Sequence, residues 1–302
     1  MPNPAAAPIL LTIAVLAAAC GEPRRDNEST SSGDSAPTTV PTPPGSVPSD
    51  TSATVPEGVE PFYGGFAYAD SSGRRLLAVS ELSDPAAVLT AICQSGGRLA
   101  VRFDRHQPRG ENDSGRQTSR NFDNDEGDLF RVVDGDAGRD ETCLLIGPAL
   151  FALASPTIPR GALDTRCDPA DSTRITEVKQ RLVTSCSRVW IVDDTTRVVA
   201  AVFELRGDSA LASLALIDPI QVALLDFPGH HDPDAGTWRV GDGGAFHAEH
   251  INILFVTVGP TDRAIALAWG AGEGESSVLA VAVEGATTLE EGVRGYRYWM
   301  AH

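Results

Sequence analysis

Apolar residues in the second half of the chain arrive in short runs rich in β-branched side chains, and tight-turn residues separate them. "VWIVD" leads through Asp193-Asp194-Thr195-Thr196 into "RVVAAVFEL", then through Arg206-Gly207-Asp208-Ser209 into "ALASLALID". Further on, "INILFVTV", "RAIALAW" and "SVLAVAV" follow one another across "GPTD" and "GAGEGES". Runs of strand length joined by Gly/Asp turns make antiparallel meanders, and little else accommodates them. In "AIALAW", Ile265, Leu267 and Trp269 alternate with alanines, so one face of that strand carries the bulk.

Two segments read as helices. In "SDPAAVLTAICQSGG", Asp84 is placed as an N-cap, Pro85 opens the helix and Gly96-Gly97 stops it. In "DSTRITEVKQRLVTSC", Ile175, Val178, Leu182 and Val183 recur at helical spacing. The fold class expected is α+β, strand-dominated, with mostly antiparallel sheet in meanders and about two helices, in a single domain over residues 61–302. The polar stretch from Arg105 to Asp128 is expected as a surface loop, in part disordered.

The first sixty residues are of another kind. Residues 9–19 read ILLTIAVLAAA, too short for the roughly 20 residues a membrane span needs. That length suits the apolar core of a signal peptide followed by small residues at a cleavage site. Leu16-Ala17-Ala18-Ala19-Cys20-Gly21 resembles the processing site of a bacterial lipoprotein precursor. The resemblance implies removal of residues 1–19 and acylation of Cys20, which becomes the mature N-terminus. Ala17-Ala18-Ala19 also satisfies an ordinary export cleavage site, which leaves secretion without lipid as the alternative. Ser, Thr, Pro and Gly fill 24 of residues 21–60, so residues 20–60 are expected to be a lipidated cysteine and a disordered tether. Such a coil holds its ends about 35 Å apart.

Cysteine arithmetic agrees with the lipid. The chain has five cysteines, and removing Cys20 leaves Cys93, Cys143, Cys167 and Cys186, enough for two disulfides in an oxidising compartment. Three pairings are open; Cys93 with Cys143 and Cys167 with Cys186 is the preferred one, each bond pinning a helix end to a neighbouring strand or loop. No pair has CxxC spacing.

The net charge of -17 argues against nucleic acid as a partner, since phosphate binding needs a basic face. The partners expected are the membrane, through the N-terminal lipid, and an unidentified protein or small molecule. No cofactor is predicted. Four of the six histidines fall in "GHHDPDAGTWRVGDGGAFHAEH", which makes His230, His231, His247 and His250 the metal-ligand candidates for an alternative function, a metal-assisted envelope hydrolase. The spacing is not HExxH, and on a strand His247 and His250 would point to opposite faces. The acidic run Asp123, Asp125, Asp128, Asp134, Asp136 and Asp140 misses the calcium-loop pattern and reads as solvated turns. Arg206-Gly207-Asp208-Ser209 is explained by a hairpin without catalysis. The tryptophans Trp190, Trp238, Trp269 and Trp299 are expected in the core, and "GYRYW" near the end of the chain reads as an ordinary last strand, with an aromatic binding surface as the alternative. The function expected is that of a lipid-anchored extracytoplasmic envelope protein with a binding or structural role.

Overall fold

The computed structural model describes residues 63–152, 165–232, 234, 246–259, 262–283 and 285–299. Every strand and helix below lies within the unit Pro56–His302. Six strands come first: β1 (Gly64–Ala69), β2 (Arg75–Ala78), β3 (Thr90–Cys93), β4 (Arg98–Gln107), β5 (Gly127–Asp134) and β6 (Thr142–Ile146). They close into an antiparallel barrel in the order β1-β2-β5-β4-β3-β6. Alternate residues fill it: Ala67 and Ala69, Leu76 and Ala78, Ala91 and Cys93, Leu99 and Val101, with Phe130, Cys143 and Leu145. β1 and β3 supply alanine and cysteine to the interior, and Cys93 and Cys143, directly opposite on β3 and β6, are joined by a disulfide.

After α1 (Pro148–Ala152) come β7 (Thr165–Arg166) and α2 (Pro169–Lys179). Then β8 (Val183–Ile191), β9 (Arg197–Phe203), β10 (Ser209–Ile217) and β11 (Val222–His230) form, with β7, a five-stranded sheet in the order β11-β10-β9-β8-β7. A second meander, β12 (Ile251–Val258), β13 (Asp262–Gly270), β14 (Gly274–Val283) and β15 (Glu290–Tyr298), makes a four-stranded sheet in chain order. The expectation of a strand-dominated, mostly antiparallel fold is met, while the α+β label fits only loosely: of the two α-helices among the described residues, only α2 overlaps an expected one. Among the described residues α-helix is limited to eleven residues in α2 and five in α1.

The four-stranded sheet is the middle layer. Its bulky face, Ile253, Val256, Ile265, Leu267, Trp269 and Val278, packs on the five-stranded sheet through Val198, Leu214, Leu216 and Leu225. Its other face, Leu254, Phe255, Ala264, Ala266, Ala268 and Leu279, meets the outside of the barrel at Phe66, Ile92, Leu144 and Ile146. The alanines that alternate with Ile265, Leu267 and Trp269 are therefore a contact face and not a solvent face. Gly295 on β15 serves the same approach, since a Cβ there would lie 2.9 Å from the Cβ of Phe66. The far face of the five-stranded sheet is covered by α2 through Ile175 and Val178, against Val199, Phe203, Ala215 and Ile217.

Both helix expectations need correction. Asp84 does cap, accepting the Ala87 N–H at 3.3 Å, but what it caps is a single 3-10 turn over Pro85–Ala87. Thr90–Cys93 then enters the barrel as β3, with Ala91 and Cys93 facing inward and Ile92 facing the middle sheet. The second helix begins earlier and ends earlier than expected. Asp168 caps α2 by accepting the Ala170 N–H at 2.8 Å, and Gln180, at φ 54°, closes it in the left-handed region. Buried Arg181 donates to the Glu204 and Ser209 carbonyls, and Val183 already belongs to β8. Cys167 and Cys186 are bonded, so the bond fastens the entry of α2 to β8. Neither disulfide sits at a helix C-terminus. The hairpin at Arg206–Ser209 forms as expected, with Gly207 at φ 64° and Arg206 and Ser209 exchanging backbone hydrogen bonds at 3.1 Å.

The small-residue face sets a testable limit. Ala266→Leu should lower stability by about 1–3 kcal/mol by overpacking the barrel contact. Ile220→Ser, at a side chain 88% exposed, should change it by less than about 0.5 kcal/mol. Urea unfolding of the two variants checks the difference, and equal effects would contradict the two-sided burial of the middle sheet.

Candidate functional site

Residues 108–126, between β4 and β5, contribute to two clefts lined largely by charged and amide side chains. The segment is neither loose nor fully solvated. Buried Asn121 donates to Asp113 Oδ1 at 2.7 Å and to the Arg116 carbonyl at 2.9 Å, and its Oδ1 accepts the Ser114 N–H at 3.1 Å. Gln107 Nε2 donates to the carbonyls of Phe122 and Asp125, both at 2.7 Å. Phe122 is buried edge-on against Tyr68, with ring centroids 5.3 Å apart, and the Arg75 guanidinium lies 4.9 Å from its ring. Five hydrogen bonds of the Asn121 and Gln107 side-chain amides and one buried aromatic order a stretch whose composition alone reads as solvent-exposed.

Beneath the segment a charged network crosses from the barrel to the middle sheet. Arg297 of β15, 3% exposed, donates to the Asp140 carbonyl at 2.8 Å, Thr142 Oγ1 at 2.6 Å and the Gln117 carbonyl at 3.0 Å. Its guanidinium lies 4.8 Å from the Tyr68 ring and 5.3 Å from the Trp299 ring. Thr142 in turn donates to Glu275 Oε1, and Gln94 Nε2 donates to Glu275 Oε2 at 2.8 Å. Glu275 and Arg297 are register partners on β14 and β15. Tyr68 donates to Asp125 Oδ2 at 3.0 Å. Burial lowers the Arg297 pKa and raises that of Tyr68, where the Asp125 charge adds to the rise. Burial also raises Asp125, against the hydrogen bonds from Tyr68 and the Glu126 N–H that favour its carboxylate.

Two clefts open on either side of the segment. The first, about 590 Å³, is lined by Glu81, His106, Asp125, Glu126, Asp128 and Tyr296 among others. His106 Nδ1 lies 3.0 Å from Asp128 Oδ1 and Nε2 lies 3.9 Å from Glu126 Oε1. The hydrogen bond to Asp128 raises the His106 pKa, and the Glu126 charge adds to it. This cleft offers carboxylates around an imidazole held toward its protonated form. The second, about 560 Å³, is lined by Asn112, Arg116, Arg120, Asn124, Arg139 and Trp299 among others. Asp140 stands at its wall with φ 58°, a left-handed conformation that Asp tolerates, and its carboxylate accepts from the Ser119 N–H and, at 2.7 Å, from Ser119 Oγ.

The residues singled out from sequence fall elsewhere. Cys20 and Trp238 lie outside the described residues, as do most of the residues between His231 and Phe246. Cys93, Cys143, Cys167 and Cys186 are all disulfide-bonded. His230 pairs with Asp208 at 3.4 Å, and the backbone N–H of His231 donates to the Asp208 carbonyl at 2.7 Å. His247 and His250 do not diverge: Ala248–His250 is a 3-10 turn, in which residues three apart eclipse, and the two rings lie 5.5 Å apart edge to face. Among the described residues no three His, Cys, Asp or Glu side chains are placed to hold a metal ion. The acidic run is dispersed, with Asp123 on Arg75, Asp125 on Tyr68, Asp128 on His106 and Asp136 on Arg74. Trp269 is core, packed with Phe227 and Phe246, whereas Trp299 and Tyr296 line different clefts. Arg297, Glu275, Thr142 and Tyr68 escape sequence reasoning. The available signal is a lone arginine between two tyrosines on an alternating strand.

No family model, no curated protein and no solved structure matches this chain.

Asp125 gives the site a pH signature. The folded state holds its proton above the pH at which the unfolded chain releases it, so this residue lowers stability as pH rises from about 4 through its folded value. Asp125→Asn, whose amide can donate to the Tyr68 hydroxyl, should be more stable than the parent at pH 7. The gain should vanish at pH 3, where both side chains are neutral. Chemical denaturation at the two pH values reads the difference, and a variant less stable at pH 7 would overturn the assignment.

Proposed function

We propose that this chain is an extracytoplasmic envelope protein, anchored through lipid on Cys20, whose folded domain has a binding role. The observation that carries the reading is the cysteine balance. Cys93–Cys143 and Cys167–Cys186 use all four cysteines of the folded part, which leaves Cys20 over, next to the apolar run that precedes it. Two closed disulfides suit an oxidising compartment. No helix among the described residues is long and apolar enough to cross a membrane. Stable attachment would then come from acyl chains, at about 0.8 kcal/mol per buried methylene. The binding role draws on the clefts flanking residues 108–126, where charged and amide side chains are held in place by hydrogen bonds, as recognition requires.

Intact mass of the protein from its host's membranes, alkylated before reduction, tests the reading. The expected mass begins at Cys20, includes acyl chains and carries no alkylated thiol. A chain beginning at Cys20 with one alkylated thiol and no lipid would mean secretion without an anchor. An uncleaved chain with free thiols would overturn both the anchor and the compartment.

A further inference from the structure

We infer that the cleft between residues 112–124 and Trp299 binds an acidic saccharide, a hydroxylated ring carrying an anionic oxo group. The inference rests on the binding role proposed above but not on the anchor.

The first ground is charge. Arg116, Arg120 and Arg139 converge on this cleft in a chain of net charge -17. Among the described residues Arg116 and Arg120 have no carboxylate within ion-pair distance, and the Arg116 Nε is buried without an acceptor. The one carboxylate lining the cleft, Asp140, already accepts twice from Ser119 and lies 3.4 Å from Arg139 Nε. The cleft is left cationic, and guanidinium forks match carboxylate and phosphate oxygens two at a time.

The second ground is the rest of the wall. Trp299 is fixed by its Nε1, which donates to the Gly272 carbonyl at 3.0 Å, and by its backbone N–H, which donates to the Glu273 carbonyl at 2.8 Å. An indole held in this way offers the apolar face of a sugar ring a surface that costs little entropy to use. Asn112 and Asn124, which have no side-chain hydrogen bond among the described residues, bring an amide donor and acceptor each for ring hydroxyls. A volume of about 560 Å³ also exceeds what a lone phosphate fills and falls within the range of small-molecule sites.

Calorimetry on the detergent-solubilised full protein, with its N-terminal mass already determined, tests the inference with three probes: trigalacturonate, neutral galactotriose and inorganic phosphate. Keeping the mass and the titration separate keeps a failed anchor distinct from a failed cleft. Trigalacturonate should bind, and Arg116→Gln and Arg120→Gln should each weaken it by about tenfold or more, the loss of a charge-assisted hydrogen bond. Trp299→Ala should weaken it as well. Arg120 is exposed, so its variant reports on the cleft even where Arg116→Gln perturbs folding. Equal binding of galactotriose would overturn the need for an anion, and equal binding of phosphate would overturn the need for a ring. No binding of trigalacturonate, or binding that ignores both arginine variants, would overturn the site.

Discussion

Ala264, Ala266 and Ala268 on β13 let a closed barrel lie against the four-stranded sheet. A sheet face carrying Ile or Leu at those positions would hold the barrel strands further out, and Phe66, Ile92 and Leu144 would lose their partners. The opposite requirement governs the other face, where Ile265, Leu267 and Trp269 must reach across to the five-stranded sheet. One strand therefore satisfies two interfaces of different depth by alternating small and large residues. Everything else is stacked on that strand and its neighbours: the barrel on one side, the five-stranded sheet on the other, and α2 beyond it.

Apolar contact alone does not fix how such layers are rotated on one another, because burial is non-directional. Three arginines add direction. Arg297 ties the middle sheet to the barrel, Arg263 of β13 ties it to the β10–β11 turn through Asp218 at 2.6 Å, and Arg197 of β9 ties the five-stranded sheet to α2 through Asp171. Hydrogen bonds from Arg263 and the Gln221 and Ile220 N–H groups outweigh burial and hold the Asp218 carboxyl below the usual range. Removing one member of a buried pair costs about 3–5 kcal/mol because it strands the other charge. Arginine suits all three places, since its fork can meet several acceptors at once, as Arg297 does with two carbonyls and a hydroxyl.

How much of this the sequence reveals depends on whether the information is local. From Arg188 onward, strand and turn signals coincide, and the meanders follow. The segment after Asp84 misleads for a physical reason. Its cap is real, but Ala91 and Cys93 face into the barrel while Ile92 faces the middle sheet, so both sides of β3 are buried. A strand buried on both sides has no alternation to read, and its apolar residues can be threaded onto a helix as easily. Residues 108–126 mislead in the reverse sense: they are polar, yet part of that polarity is spent internally, on Asn121, Asp113, Gln107 and backbone carbonyls, which orders the segment. The site residues were the least legible. Arg297, Thr142, Glu275 and Tyr68 come from positions up to 229 residues apart in sequence, and only the closure of the barrel onto the sheet brings them together.

That closure also gives the clefts their rigidity. The backbone N–H of Gln117 donates to the Tyr298 carbonyl, and the Tyr298 N–H donates to Gln117 Oε1, each at 2.9 Å. The segment is thereby tied to the last residue of β15, where both backbone groups of Tyr298 are satisfied. Because the Gln117 carbonyl also accepts from Arg297, the junction between barrel and sheet fixes the position of a segment that its own amide hydrogen bonds hold together. Asp140 shows the cost and the reason: it adopts a left-handed backbone conformation, yet there its carbonyl meets Arg297 and its carboxylate holds Ser119. A ligand settling between Arg116, Arg120 and Trp299 would therefore meet a wall already ordered by the core beneath it, and little of its binding energy would go into ordering the protein.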